Sequence, residues 1–328
     1  MKRERSWDRE NETAKALVLP VLLFTLSGLA AAQVAQPANG QDQGDLRFST
    51  EVDLVVLQAT VRDRAGHAVA GLGEHDFEVY QDGVLQTIRL FRHEDTPVTI
   101  GLVVDHSGSM REKLGELTLA AQTFVRASNP EDQMFVVNFN DDVSLGLPKG
   151  TLFSNSANEL GGAIWRAPAV GATALYDAII EALQGLQKGE REKKALIVIS
   201  DGGDNASKSS LDRVLKMAEE SSAVIYTIGV FDEDDPDRNP KVLRRLAHET
   251  GGEAFFPSEP KETEEICKRI ARDVRDQYTI GYSSMNGKPG VYRAIRVTAR
   301  SKEHGKLSVR TRAGYIAGGE LQPGKVAK

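Results

Sequence analysis

The stretch Val98–Met110, VTIGLVVDHSGSM, constrains this chain most. Val98, Ile100, Leu102, Val103 and Val104 form a short apolar run rich in β-branched residues, which suits a strand covered on both faces. The run stops at Asp105, and Ser107, Gly108 and Ser109 follow in a polar turn. The next segment, Arg111–Ala127, has a helical pattern. A strand, a tight turn and a helix therefore meet here. The turn lies at the carboxyl end of the strand, where open α/β sheets bind ligands. Asp105, Ser107 and Ser109 are hard oxygen donors at alternate positions, so their side chains can converge on one point.

From Val98 onward, strands alternate with helices, which predicts βα units and a parallel sheet. Gln133–Phe139, Ala195–Ser200 and Val224–Val230 read as further strands, with a short one at Ala254–Phe256. Helices are expected at Ser154–Ala163, Thr173–Leu186, Ser209–Glu219, Pro240–Glu249 and Glu262–Arg275. On either side of this region the rhythm is that of β structure. Before it come Val52–Val61 and a hairpin from Phe77–Tyr80 through Gln81-Asp82-Gly83 to Val84–Phe91, the Asp-Gly pair being a strong hairpin signal. After it come Tyr278–Tyr282, Tyr292–Ala299 and Leu307–Arg312, with turns at Asn286-Gly287 and His304-Gly305. So few N-terminal strands bury no core alone. The expected architecture is an α/β domain, a doubly wound, mostly parallel sheet over 97–276. A flanking β module joins segment 47–96 to the strands of 277–317, leaving a tail at 318–328.

The first 32 residues read as an export signal. A charged leader with five basic and four acidic side chains precedes the apolar run Ala16–Leu29, and Ala30-Ala31-Ala32 meets the small-residue rule for cleavage. The run is short for a membrane span. The leader is long and acidic for a signal, so an uncleaved N-terminal anchor is the alternative. Residues 33–46 read as a disordered linker rich in Gln, Gly, Ala and Asp. The expected location is secreted or periplasmic. With a net charge of -6 and 6% aromatic residues, the chain carries no basic stripe or stacking platform for nucleic acid. Cys267 is the single cysteine, which excludes an intrachain disulfide and a cysteine metal cluster, and its helical pattern reads as a small buried hydrophobe.

Three separated segments place oxygen ligands at loops beside the sheet: Asp105-x-Ser107-x-Ser109, Gly171-Ala172-Thr173-Ala174-Leu175-Tyr176-Asp177, and Ser200-Asp201-Gly202-Gly203-Asp204-Asn205. In this set the sequence resembles the von Willebrand factor type A (VWA) domain, and its layout resembles secreted bacterial proteins with such a domain. The resemblance implies a metal-ion-dependent adhesion site. Ser107, Ser109 and Thr173 would donate hydroxyl oxygens, and Asp105 and Asp201 would bind the ion directly or through water. Oxygen ligation without cysteine or histidine suits Mg²⁺, with Mn²⁺ or Ca²⁺ as weaker choices. Two carboxylates and neutral hydroxyls leave the ion electrophilic, so an open position can take an acidic residue of a protein partner. The resemblance implies a binding module and no enzyme.

Each loop alone has a plainer reading as a turn. Asp177 and Asp204 fit outer positions of the site or simple turn and helix-start roles. The acidic loop 232–237 lacks the Gly and terminal Glu of a calcium loop. Asn205-Ala206-Ser207 matches a glycosylation sequon, and His106 has no assigned role. The rival function is a Mg²⁺-dependent phosphohydrolase with Asp105 as nucleophile and Asp201 holding the ion. That chemistry wants an acid two residues on, and Ser107 stands there. A serine hydrolase lacks its G-x-S-x-G elbow. A structural domain with an idle metal site is the third reading.

Overall fold

Strand β5 (Val98–Asp105) is buried along its whole length, as its apolar run requires. It is the centre of a six-stranded sheet with β6 (Gln133–Phe139), β7 (Val143–Leu145), β8 (Lys193–Ser200), β9 (Val224–Gly229) and β10 (Ala254–Phe255). The order is β10-β9-β8-β5-β6-β7, parallel except for β7, which runs antiparallel at the edge. The structure is a computed structural model that describes residues 52–231, 236–285 and 289–318. The signal-like segment 1–32, the linker 33–46, the Asn286-Gly287 turn, most of the acidic loop and nearly all of the tail lie outside the described residues.

The helices are α1 (Leu114–Ala127), α2 (Ala157–Trp165), α3 (Leu175–Gln187), α4 (Leu211–Ser221), α5 (Pro240–Thr250) and α6 (Pro260–Arg275). Helix α1 packs between α2 and α6, while α4 packs between α3 and α5, so two helical layers cover the two faces of the sheet. Their sequences account for this. In α1 the buried residues Leu114, Leu117, Ala120, Ala121, Phe124 and Val125 recur at three- and four-residue steps, giving one apolar stripe. Cys267 is buried in α6, and burial pushes its thiol up to about 12, which fits a small core residue. No helix among the described residues is long and apolar enough to cross a membrane.

The flanking module holds a second core. One sheet has the order β14-β1-β11-β4, from Ser308–Arg310, Val52–Arg62, Tyr278–Met285 and Ile88–Arg92. The other has the order β13-β12-β2-β3, from Gly305–Lys306, Tyr292–Ser301, Phe77–Gln81 and Val84–Gln86, with β15 (Gly314–Ile316) also on β12. Strands from both ends of the chain thus pair with one another. The hairpin turn is as expected: Asp82 and Gly83 have φ of 51° and 81°, the pair of positive angles that a two-residue type I′ hairpin turn requires. The expected strand Val84–Phe91 is corrected. It breaks after Gln86, and the chain changes sheets, so β3 pairs with β2 while β4 pairs with β11.

Asp132 anchors the start of β5. Its Oδ1 accepts from Val98 N at 2.7 Å, and its Oδ2 accepts from Asn129 N at 3.1 Å. Burial nevertheless pushes this carboxyl from 3.8 up to about 6. The folded state therefore keeps the proton at pH values where the unfolded chain has lost it. The stability linked to this group is complete below 3.8 and is lost as pH rises through about 6. Denaturant midpoints at pH 4 and pH 7 should show the parent losing more stability over that interval than Asp132→Asn. Parallel losses would contradict this account.

Candidate metal centre

Strand β5 comes first in the α/β domain, with β6 on one side and the later β8 on the other. The chain winds in opposite senses from this point, and the carboxyl ends of β5 and β8 flank the resulting crevice. Asp105 closes β5, and Asp201 follows β8. The expected helix from Arg111 starts instead at Leu114, because a 3₁₀ turn at Gly108–Met110 comes first.

The three loops are joined by hydrogen bonds. Ser109 Oγ donates to Asp201 Oδ2 at 3.0 Å, and the Ser107 and Ser109 hydroxyls lie 3.1 Å apart. Asp105 is wholly buried, its Oδ1 accepting from Ser107 N at 2.8 Å and its Oδ2 from Ser200 Oγ at 2.7 Å. The first and second loops meet where Gly108 N donates to Gly171 O at 3.2 Å and Val170 N to His106 O at 2.9 Å. Gly171 has φ of 84°, a conformation that favours glycine.

Thr173 is buried and lies two residues before α3, not within it as expected. Its N–H donates to Asn205 Oδ1 at 2.8 Å, and its carbonyl accepts from Asn205 N and Ala206 N at 3.0 and 3.1 Å. Thr173 is thereby tied by its backbone to the loop that carries Asp201. Ala174 has no side chain with which to cap α3, so the third loop does so. Tyr176 N donates to Asp204 Oδ1 and Asp177 N to Ser207 Oγ, each at 3.1 Å. Asp177 returns the contact, accepting from Lys208 N and Ser209 N at 2.8 and 3.1 Å. Asp177 and Asp204 therefore latch the second loop to the third.

Sequence reasoning missed the parts played by Ser200 and Asn205. Ser200 is the first letter of the Ser-Asp-Gly motif, and its hydroxyl orients Asp105. Asn205 closes the third oxygen-bearing segment and is given no role there beyond a sequon, yet its side-chain oxygen is bonded to Thr173 N.

The donor chemistry fits a hard divalent cation. Burial, with the nearby Asp201 charge adding to it, pushes the Asp105 carboxyl up to about 6. Two carboxylates brought together in a buried crevice repel, and a cation between them offsets that repulsion. Each bonded Asp105 oxygen retains a second lone pair. Among the described residues no cluster of three or more His, Cys, Asp and Glu side chains is placed to hold a metal ion. A cation held at this place would have to draw its remaining ligands from hydroxyls. His106 is buried and its imidazole is held down to about 4 by burial, so it is neutral near pH 7.

Residues 99–269, just over half of the chain, match the von Willebrand factor type A domain. The chain belongs to this family. Among solved structures, a von Willebrand factor type A protein from Catenulispora acidiphila is 15% identical, with TM-score 0.49, over 82% of this chain and 75% of that one. The von Willebrand factor domain of the type V pili tip protein Mfa5 from Porphyromonas gingivalis is 14% identical, with TM-score 0.46, over 55% and 95%. The PilB minor pilin from Streptococcus sanguinis is 14% identical, with TM-score 0.42, over 56% and 62%. No curated protein matches the chain. The VWA assignment rests on the match over 99–269. VWA domains are generally interaction modules without enzymatic activity.

Proposed function

We propose that this protein is an extracytoplasmic protein-binding module of the adhesion type. In this reading Asp105, Ser107, Ser109, Thr173 and Asp201 hold a divalent cation, Mg²⁺ ahead of Mn²⁺ or Ca²⁺. The cation would supply an electrophilic open position for an acidic side chain of a protein partner. The observation that carries the reading is the bond from Ser109 Oγ to Asp201 Oδ2, which brings together side chains 92 positions apart at the switch point of the sheet. The export-like N-terminal pattern supports a secreted or periplasmic location.

The burial of Asp105 argues against the phosphohydrolase reading. A nucleophilic carboxylate needs an oxygen that substrate can reach, and Asp105 is wholly out of solvent here.

Thermal melting of the purified protein tests the cation. Mg²⁺ at a hundred times its Kd should add about 2.7 kcal/mol, because the ligands converge only in the folded state. Asp105→Ala or Asp201→Ala should abolish that gain. Equal gains in parent and variants would refute the assignment. Partner capture from an envelope extract should be lost in EDTA and weakened by Thr173→Ala, and capture indifferent to both would refute the bridging role.

A further inference from the structure

We propose that His106 is the positioning residue of this centre, holding the Asp105–Ser109 turn against the connection that carries Thr173. The inference deepens the cation-site reading and rests on it. His106 makes three ties from a buried position. Its N–H donates to Phe139 O at 2.7 Å, its carbonyl accepts from Val170 N at 2.9 Å, and Nε2 lies 3.1 Å from Asn138 Oδ1. Asn138, also buried, donates from Nδ2 to Ala163 O in α2 at 2.9 Å.

Chemistry settles the direction of this relay. A carbonyl only accepts, so Asn138 must turn its amide nitrogen to Ala163 and its oxygen to His106. His106 must then carry its proton on Nε2. One residue thus holds both α2, through the imidazole and Asn138 at Ala163, and the connection that follows α2, through its own backbone carbonyl at Val170. Among the described residues, nothing hydrogen-bonds to the buried His106 Nδ1. An unpaired buried acceptor costs stability that an apolar side chain would not. Packing alone gives no reason for imidazole at this position, whereas its Nε2–H does.

The experiment compares the parent chain with His106→Phe, His106→Gln, Asn138→Ala and the double variant His106→Phe/Asn138→Ala. Amide hydrogen exchange in EDTA reads the apo protein, and calorimetric titration with MgCl₂ reads cation affinity. His106→Phe should speed exchange at Val170 and Gly108 and weaken Mg²⁺ binding about tenfold or more, the usual size for the loss of an outer orienting group. His106→Gln, which can still donate to Asn138, should restore both. Asn138→Ala should reproduce the loss, and the double variant should be no worse than either single one, since both cut one relay. Unchanged exchange and affinity in His106→Phe, or additive losses in the double variant, would overturn the proposal. If His106→Phe does not fold, Asn138→Ala decides the matter by the same two readouts. A parent that binds no Mg²⁺ would overturn the cation reading, and the apo exchange rates would then test the positioning role of His106 by themselves.

Discussion

Asp273→Ala should destabilise the protein by about 3–5 kcal/mol, measured as the change in free energy of denaturant unfolding. Asp273 lies on α6 with its side chain 2% exposed, and it receives Arg62 Nη2 from β1 at 2.5 and 2.6 Å. It also receives Arg310 Nη2 from β14 at 3.1 Å. Arg310 reaches Glu253 as well, and Glu253 in turn takes Arg269 of α6 at 2.7 Å. One carboxylate thus pins two strands of the flanking module to the last helix of the α/β domain. Its removal leaves two guanidinium groups facing each other in a largely water-free junction. The partial exposure of Arg310 places the expectation toward the lower end of that range. Arg92→Ala provides the contrast. Its pair with Glu192, at 3.4 Å, has side chains 45% and 65% exposed, and its loss should cost under about 1 kcal/mol. Similar losses for the two variants would refute the argument from burial.

Gln81→Met should cost about 2–3 kcal/mol in the same measurement. Gln81 is buried at the end of β2, and its Oε1 accepts from Tyr282 Oη at 2.8 Å, Tyr315 Oη at 3.0 Å and Ser284 Oγ at 3.2 Å. Three donors from β11 and β15 therefore converge on one acceptor between the two sheets of the module. Methionine keeps the length of the side chain and removes the oxygen. Tyr315 can still donate to Ser284 Oγ at 3.0 Å, which limits the damage to less than three lost bonds. Tyr282→Phe removes one donor and leaves the acceptor satisfied, so it should cost clearly less than Gln81→Met. The reverse order would show that packing, and not the shared acceptor, dominates there.

Much of the fold is legible along the chain because its signals are local. The βα rhythm, the amphipathic stripe of α1 and the Asp-Gly turn each depend on neighbours a few residues away. The places where the reading falls short depend on distant partners. Val84–Phe91 is uniformly strand-like, yet it divides at Thr87 because β2 and β11 offer edges in different sheets. Strands β7 and β15 are three residues each, too short for a periodic signal, and they exist because β6 and β12 present free edges to them. Thr173 has a helical neighbourhood, but its N–H and carbonyl are taken by the Asn205 loop, which delays the helix until Leu175.

The amino-acid order alone determined the fold class, the β segments flanking it, and which oxygen-bearing residues stand at the ends of strands. Those are consequences of side-chain periodicity and turn chemistry, and they need no knowledge of strand order. Only the tertiary structure decided that β8 lies beside β5, so that the Asp105 and Asp201 loops share one crevice. It alone decided that Ser200, Asn205 and the buried His106–Asn138 pair hold these loops together. Hydrogen bonds between residues 32 to 95 positions apart are set by how strands align across the sheet, and nothing in a local stretch of sequence carries that alignment.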